Sequence, residues 1–281
     1  MPFEIPIDEA RKRYPELEIL SALTPSEQKA AFKVRDGQGT VLCLKIISPD
    51  YQIDRLQREL LALKRIDQRY VARFVEYEFS VDESGECHHL IEEYVEGSDL
   101  AEHLGPELNW SLGQAQTFFT CFTSALATLE DNGIVHRDLK PTNVRVREDG
   151  TPVLIDFGLA RHLDLPSLTP TAVGARIGTP KYFSPEQFIG RRRDIDHRTD
   201  LFAMGLLMYE ALIGQHPFWT PGMSWDELCD AVCASEDCFE HAEFQALPPA
   251  WQTLLRRLLA KERIHRPSKA EQVTRVLDRI G

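Results

Sequence analysis

His136-Arg137-Asp138-Leu139-Lys140-Pro141-Thr142-Asn143 sets a carboxylate, an ammonium and an amide within eight residues, and Asp156-Phe157-Gly158 follows thirteen residues after Asn143. Both segments lie between Gly133 and Glu186, where short strand-like runs alternate with loops crowded with Asp, Arg, Gly and Thr. Asp and Asn favour turns for local reasons, so none of these residues signifies much alone. Loops this dense in polar side chains, set among helices, are nevertheless where chemistry usually sits.

Upstream, Thr40 to Ile47 (TVLCLKII) reads as a buried strand with Lys45 inside it. Tyr51 to Ile66 has helical spacing, with Leu56, Leu60, Leu63 and Ile66 on one side and Glu59 among them. Phe74 to Phe79 and Cys87 to Val95 read as strands joined by an Asp82-Glu83-Ser84-Gly85 turn. A connector near Glu93 to Gly97 leads into a mainly helical remainder. Ser111 with Gln114 opens a helix that Gly133 stops, and Ser224 with Glu227 and Ser268 with Glu271 repeat the start signal. Leu201 to Gly214 is an apolar run holding Glu210, read as a buried helix that Asp200 opens. The expected fold class is α+β and two-lobed. A small β-rich lobe with one main helix (1–94, including an N-terminal extension) precedes a large, mostly helical lobe (95–281), with a ligand cleft between them.

Composition narrows the function. The chain has 281 residues and a net charge of −12, the wrong sign for a nucleic-acid binder, and Arg191-Arg192-Arg193 is its only dense basic run. The acidic balance serves solubility and weakly favours basic substrates. No stretch resembles a signal peptide or a membrane span. The six cysteines form no disulfide framework, so a cytoplasmic location is expected. Cys229, Cys233, Cys238 and His241 have a metal-like spacing, but small apolar helix positions explain the cysteines better.

Taken together in order, Lys45, Glu59, the His136–Asn143 segment, Asp156-Phe157-Gly158, Gly178-Thr179-Pro180, Ser184-Pro185-Glu186, Asp200 and Arg266-Pro267 resemble the eukaryotic-type (Hanks-type) serine/threonine protein kinases, including their bacterial members. The resemblance runs from about Ile19 to Ile280 and implies ATP and Mg2+ as cofactors. Lys45 would hold the α and β phosphates with Glu59 as its counter-ion. Asp138 would orient the attacking hydroxyl, Lys140 would sit against the transferring phosphate, and Asn143 and Asp156 would ligate magnesium. Glu93 and Val95 would take the adenine edge. Glu186 with Arg266 and Asp200 would be architectural, and Leu63, Phe74, His136 and Phe157 would form an apolar column. Lys140 marks Ser/Thr specificity, and the segment through Thr179 to Glu186 implies a protein substrate. Arg137 and Arg161 would bind a phosphate placed on Ser167, Thr169 or Thr171 by autophosphorylation.

Several positions depart from that pattern. The phosphate-covering loop reads Thr24-Pro25-Ser26-Glu27-Gln28-Lys29, without glycine. Losing two charge-assisted backbone bonds there would cost about 3–6 kcal/mol, unless Ser26 and Lys29 supply replacements. Arg145 replaces the apolar floor under adenine and needs a partner, expected in the Glu92-Glu93 strand. Glu92 stands at the back of the cleft, and Cys43 replaces a small residue above the adenine. The reading is a serine/threonine protein kinase acting on proteins, with no nucleic-acid or membrane partner and room for a regulatory partner or dimer. The alternatives are a weak or inactive kinase-shaped switch or scaffold, or another nucleotide-transfer chemistry.

Overall fold

Val41-Leu42-Cys43-Leu44-Lys45-Ile46-Ile47 is apolar at nearly every position, which a strand sustains only when both of its faces are covered. The computed structural model describes residues 2–26, 29–48, 63–82, 85–108, 110–156, 180–190 and 194–280. In it this run is the centre of a five-stranded antiparallel sheet. The strands are β1 (Glu18–Ala22), β2 (Lys29–Arg35), β3 (Val41–Ile47), β4 (Phe74–Asp82) and β5 (Gly85–Glu93), in the order β1-β2-β3-β5-β4. Asp82 and Gly85 pair as the last rung of β4 and β5, so the first strand extends past Phe79, while Glu83 and Ser84 of the expected turn lie outside the described residues.

Alternation along β3 separates two faces. Phe32, Val34, Leu42, Leu44, Ile46 and Ile91 point one way and are buried against Ala10 and Tyr14, from helix α1 (Ile7–Arg13) and the residue after it. Cys43, Lys45, Leu90 and Glu92 share the opposite face, because Cys43 pairs with Glu92 and Lys45 with Leu90. The helix expected over Tyr51 to Ile66 lies outside the described residues except at its end, where Leu63 and Ile66 are buried.

The described residues up to Val95 form one compact unit and those from Glu96 onward a second. The second is mostly helical. Helix α2 (Leu112–Asp131) starts at the Ser111–Gln114 capping box and buries Phe118, Phe119 and Phe122. A small antiparallel sheet of β6 (Ser98–Asp99), β7 (Val144–Val146) and β8 (Pro152–Leu154) flanks the His136–Asn143 loop. Gly97 precedes β6 at φ 128°, and a Cβ there would lie 2.1 Å from the Val146 carbonyl oxygen, so only glycine fits.

After the short helix α3 (Pro185–Phe188), helix α4 (His197–Ile213) is buried along most of its length, as its apolar sequence requires. It begins at the Asp196 cap, four residues before Asp200, which corrects the expectation that Asp200 opens it. Gly205 lets α4 approach α7 (Pro249–Leu258), since a Cβ there would meet Leu258 at 2.8 Å. Helix α5 (Trp225–Ala234) has the expected Ser224–Glu227 box, and the short helix α6 (Ala242–Gln245) follows it. The final helix α8 (Ala270–Ile280) differs from expectation: Gln272, not Glu271, bonds back to Ser268. The α+β class expected from the sequence is the class observed, with a sheet-rich N-terminal part and a helical C-terminal part.

Candidate active site

In the second unit, Lys140 Nζ donates to Asp138 Oδ2 at 2.8 Å, and Asn143 Nδ2 donates to the same oxygen at 2.9 Å and to the Asp138 carbonyl at 2.8 Å. The Asp138 side chain keeps 24% of its surface exposed, so this anchored carboxylate is reachable from solvent. The strand pair β7–β8 brings the residue before Asp156 to Asn143: Asn143 O accepts from Ile155 N at 3.1 Å, and Val144 pairs with Leu154.

The loop backbone is held from below. Asp200, buried in α4, accepts the N–H groups of His136 and Arg137, each at 2.7 Å. Arg137 takes φ 65° and Asp156 φ 64°. Such left-handed geometry costs a non-glycine residue about 1–3 kcal/mol and persists only where its surroundings over-determine it. His136 accepts the Asp138 N–H at Nδ1 (3.4 Å) and therefore donates from Nε2 to the Ile155 carbonyl at 3.0 Å. Gln187 Nε2 donates to the Arg137 carbonyl at 3.0 Å, while its Oε1 accepts from Ser184 N at 2.9 Å. The sequence reading missed Gln187, although the Ser184-x-x-Gln187 spacing is itself a capping signal.

Glu186 and Arg266 form a buried two-pronged pair at 2.7 and 2.9 Å, with Thr199 Oγ1 donating to Glu186 at 2.8 Å. Burial alone would raise the Glu186 carboxyl, but the Arg266 hydrogen bonds and charge, with Thr199, outweigh it and hold the group below its usual range.

In the first unit, Lys45 Nζ is paired with Glu92 Oε1, both side chains almost fully buried. Glu59, the counter-ion expected for Lys45, lies outside the described residues, and the Glu92-Glu93 strand is the expected partner of Arg145. The structure corrects that second expectation. Arg145 Nη1 bonds Asp99 Oδ1 at 2.6 Å, and its Nη2 bonds the Gly97 carbonyl. Asp99 lies directly opposite Arg145 in β6, a register no sequence spacing displays. Cys43 is buried on the Lys45 face, and Val95 is buried. Glu93 N donates to Arg73 O at 2.8 Å, and Glu93 Oε2 accepts from Arg73 N at 3.1 Å.

Two described residues of the glycine-free stretch bond to each other, Ser26 N donating to Lys29 O at 2.9 Å and Lys29 N to Ser26 Oγ at 3.2 Å, while Glu27 and Gln28 lie outside the described residues. Phe3 N holds the Ser26 carbonyl at 2.8 Å. The expected residues Phe157, Arg161, Ser167, Thr169, Thr171 and Thr179 fall outside the described residues. Cys229 and Cys233 share a face of α5 with their sulfurs 4.0 Å apart. Burial pushes the Cys233 and Cys238 thiols up to about 12, so both are held as neutral thiols. Among the described residues no three His, Cys, Asp or Glu side chains are grouped to hold a metal.

The protein family described as "Protein kinase domain" matches residues 29–277. The chain belongs to that family. It is 31% identical over 259 residues to serine/threonine-protein kinase pkn2 of Myxococcus xanthus, covering 85% of this chain and 29% of that protein. It is 30% identical over 246 residues to a probable serine/threonine-protein kinase PknB of Bifidobacterium longum, covering 83% of this chain and 35% of that protein. Against serine/threonine-protein kinase pkn3 of Myxococcus xanthus the identity is 31% over 240 residues, 82% of this chain and 42% of that protein. The chain thus spans less than half the length of these relatives. No helix among the described residues is long and apolar enough to cross a membrane.

Proposed function

We propose that this chain transfers the γ-phosphoryl group of ATP, taken up with Mg2+, to a Ser or Thr hydroxyl of a protein substrate. The observation that carries this is the solvent-reachable Asp138 carboxylate, held by Lys140 and Asn143 on a backbone that Asp200 anchors. Residues 1–281 then form one kinase domain, 1–94 its small lobe and 95–281 its large lobe, working in the cytoplasm.

Asp138 accepts a hydrogen bond from the incoming hydroxyl and aims its oxygen. Lys140, already bonded to that carboxylate, offers its remaining donors to the moving phosphoryl charge. The donor set fits magnesium: Asn143 spends its Nδ2 on Asp138, which turns Oδ1 the other way, and Asp156 adds carboxylate oxygen. The bound metal neutralises phosphate charge. Lys45 engages the α and β phosphates, and Glu93 and Val95 offer backbone to the adenine. Ser26, Lys29, Cys43 and Arg145 are the further residues assigned to the nucleotide. Thr179 is assigned to the substrate side by the motif, and Ser167, Thr169 and Thr171 are the acceptors for autophosphorylation. Arg137 supports that last role, since its Nε is buried with no partner among the described residues.

The Lys45–Glu92 pair favours one second reading, a weak kinase or nucleotide-sensing switch. Radiolabelled ATP with a generic protein substrate separates the two. Wild type should transfer label, and Asp138→Asn should lose about a hundredfold or more in rate, the usual worth of a proton-handling group. Equal transfer by both proteins refutes the assignment of Asp138. ATP binding without transfer by wild type establishes the switch.

A further inference from the structure

Lys45 has a counter-ion built into its own sheet. The register puts Cys43 opposite Glu92 and Lys45 opposite Leu90, so Glu92 sits diagonally from Lys45 on the same face, within reach of a long side chain. The Lys45 side chain is 4% exposed and the Glu92 side chain 9%. A buried ammonium keeps its charge only beside an anion, and a carboxylate this buried needs a cation equally. Because β3 and β5 are hydrogen-bonded neighbours, this partnership is set by strand register and does not depend on any helix being in place.

We infer that Glu92 competes with nucleotide phosphate for Lys45, and so sets how tightly this chain binds ATP. The inference rests on the kinase reading only in assigning Lys45 to the phosphates. An arriving triphosphate meets a lysine whose charge is already answered. To engage it, Lys45 must share or redirect its N–H donors while the Glu92 carboxylate, close by in a dry setting, repels the incoming anion. Glu92 thereby acts through Lys45, as a positioning residue that holds the lysine and opposes phosphate.

The test is calorimetric binding of ATP and of ADP, each with Mg2+, to wild type, Glu92→Gln, Lys45→Met and the double variant, with Tm measured for each. Glu92→Gln keeps the shape and removes the charge. It should tighten ATP binding about tenfold, with KM for ATP falling more than kcat changes. The gain should be larger for ATP than for ADP and should vanish in the Lys45→Met background. If Glu92→Gln does not fold, Glu92→Asp, which withdraws the charge by one methylene, should move affinity in the same direction by less.

An unchanged or weaker affinity in a folded Glu92 variant overturns the proposal, as does a gain that persists without Lys45. If wild type binds no ATP, binding gained by Glu92→Gln supports it, and binding by neither protein overturns it. Failure of the kinase reading looks different: ATP binds and responds to Glu92, yet no label is transferred.

Discussion

Glu186 shows how much one side chain depends on another. Its carboxylate sits between Arg266 and Thr199, with Arg266 also donating to the carbonyls of Ala260, Arg198 and Lys261. Removing one partner strands a buried charge, so Arg266→Met should lower the unfolding free energy by about 3–5 kcal/mol, read from the urea midpoint. Because the Glu186 carboxyl is held below its ordinary value of 4.5, its contribution is complete above that pH. It is lost as the pH falls from there through the folded-state value. Glu186→Gln should therefore flatten the acid limb of the stability curve, and an unchanged acid limb would show that other groups set it. Both residues stood out in the sequence by motif. What motif could not show was Gln187 on the Arg137 carbonyl, Asp99 on Arg145, or Glu92 on Lys45. Those pairings cross strands and loops, and spacing along the chain does not encode them.

Among the elements, α1 covers the sheet from outside the family match. The family match begins at Lys29, yet the sheet face formed by Phe32, Val34, Leu42, Leu44 and Ile46 is covered by Ala10 and Tyr14 from before that point. The sequence hint was the unbroken apolar run of β3, which demands cover on both faces. Tyr14→Ala should cost about 3 kcal/mol or more by opening a cavity under a large buried ring. A chain starting at Glu18 should be less stable still, by urea unfolding. Equal stability with and without residues 2–17 would show that the cover is dispensable. The same segment reaches the glycine-free loop through Phe3, so the truncation should also alter nucleotide affinity. Caps were legible at Ser111 and Ser224 because a capping box is a four-residue code. At Ser268 the code pointed one residue wrong, since Glu271 and Gln272 both offer an acceptor and the chain's path toward α8 chose between them.

For the molecule as a whole, charge is the property with reach. A net charge of −12 attracts basic partners over roughly the Debye length, about 10 Å at 0.1 M salt. Phosphorylation of a strongly basic generic substrate should weaken several-fold between about 0.05 and 0.5 M salt through KM, whereas a neutral peptide should be little affected. Equal salt dependence for the two substrates would show that long-range charge plays no part in substrate choice.

The amino-acid order alone determined the α+β class and membership of the protein kinase family. Hydrophobic period, capping codes and a set of spaced polar residues are local properties that any one segment carries within itself. Tertiary structure decided which charges meet: Lys45 with Glu92 across two strands, Arg145 with Asp99 across two others, and Asp200 beneath a loop 64 residues away in sequence. A buried charge takes whichever opposite charge the packing brings within reach, and only strand register and helix placement settle which one that is.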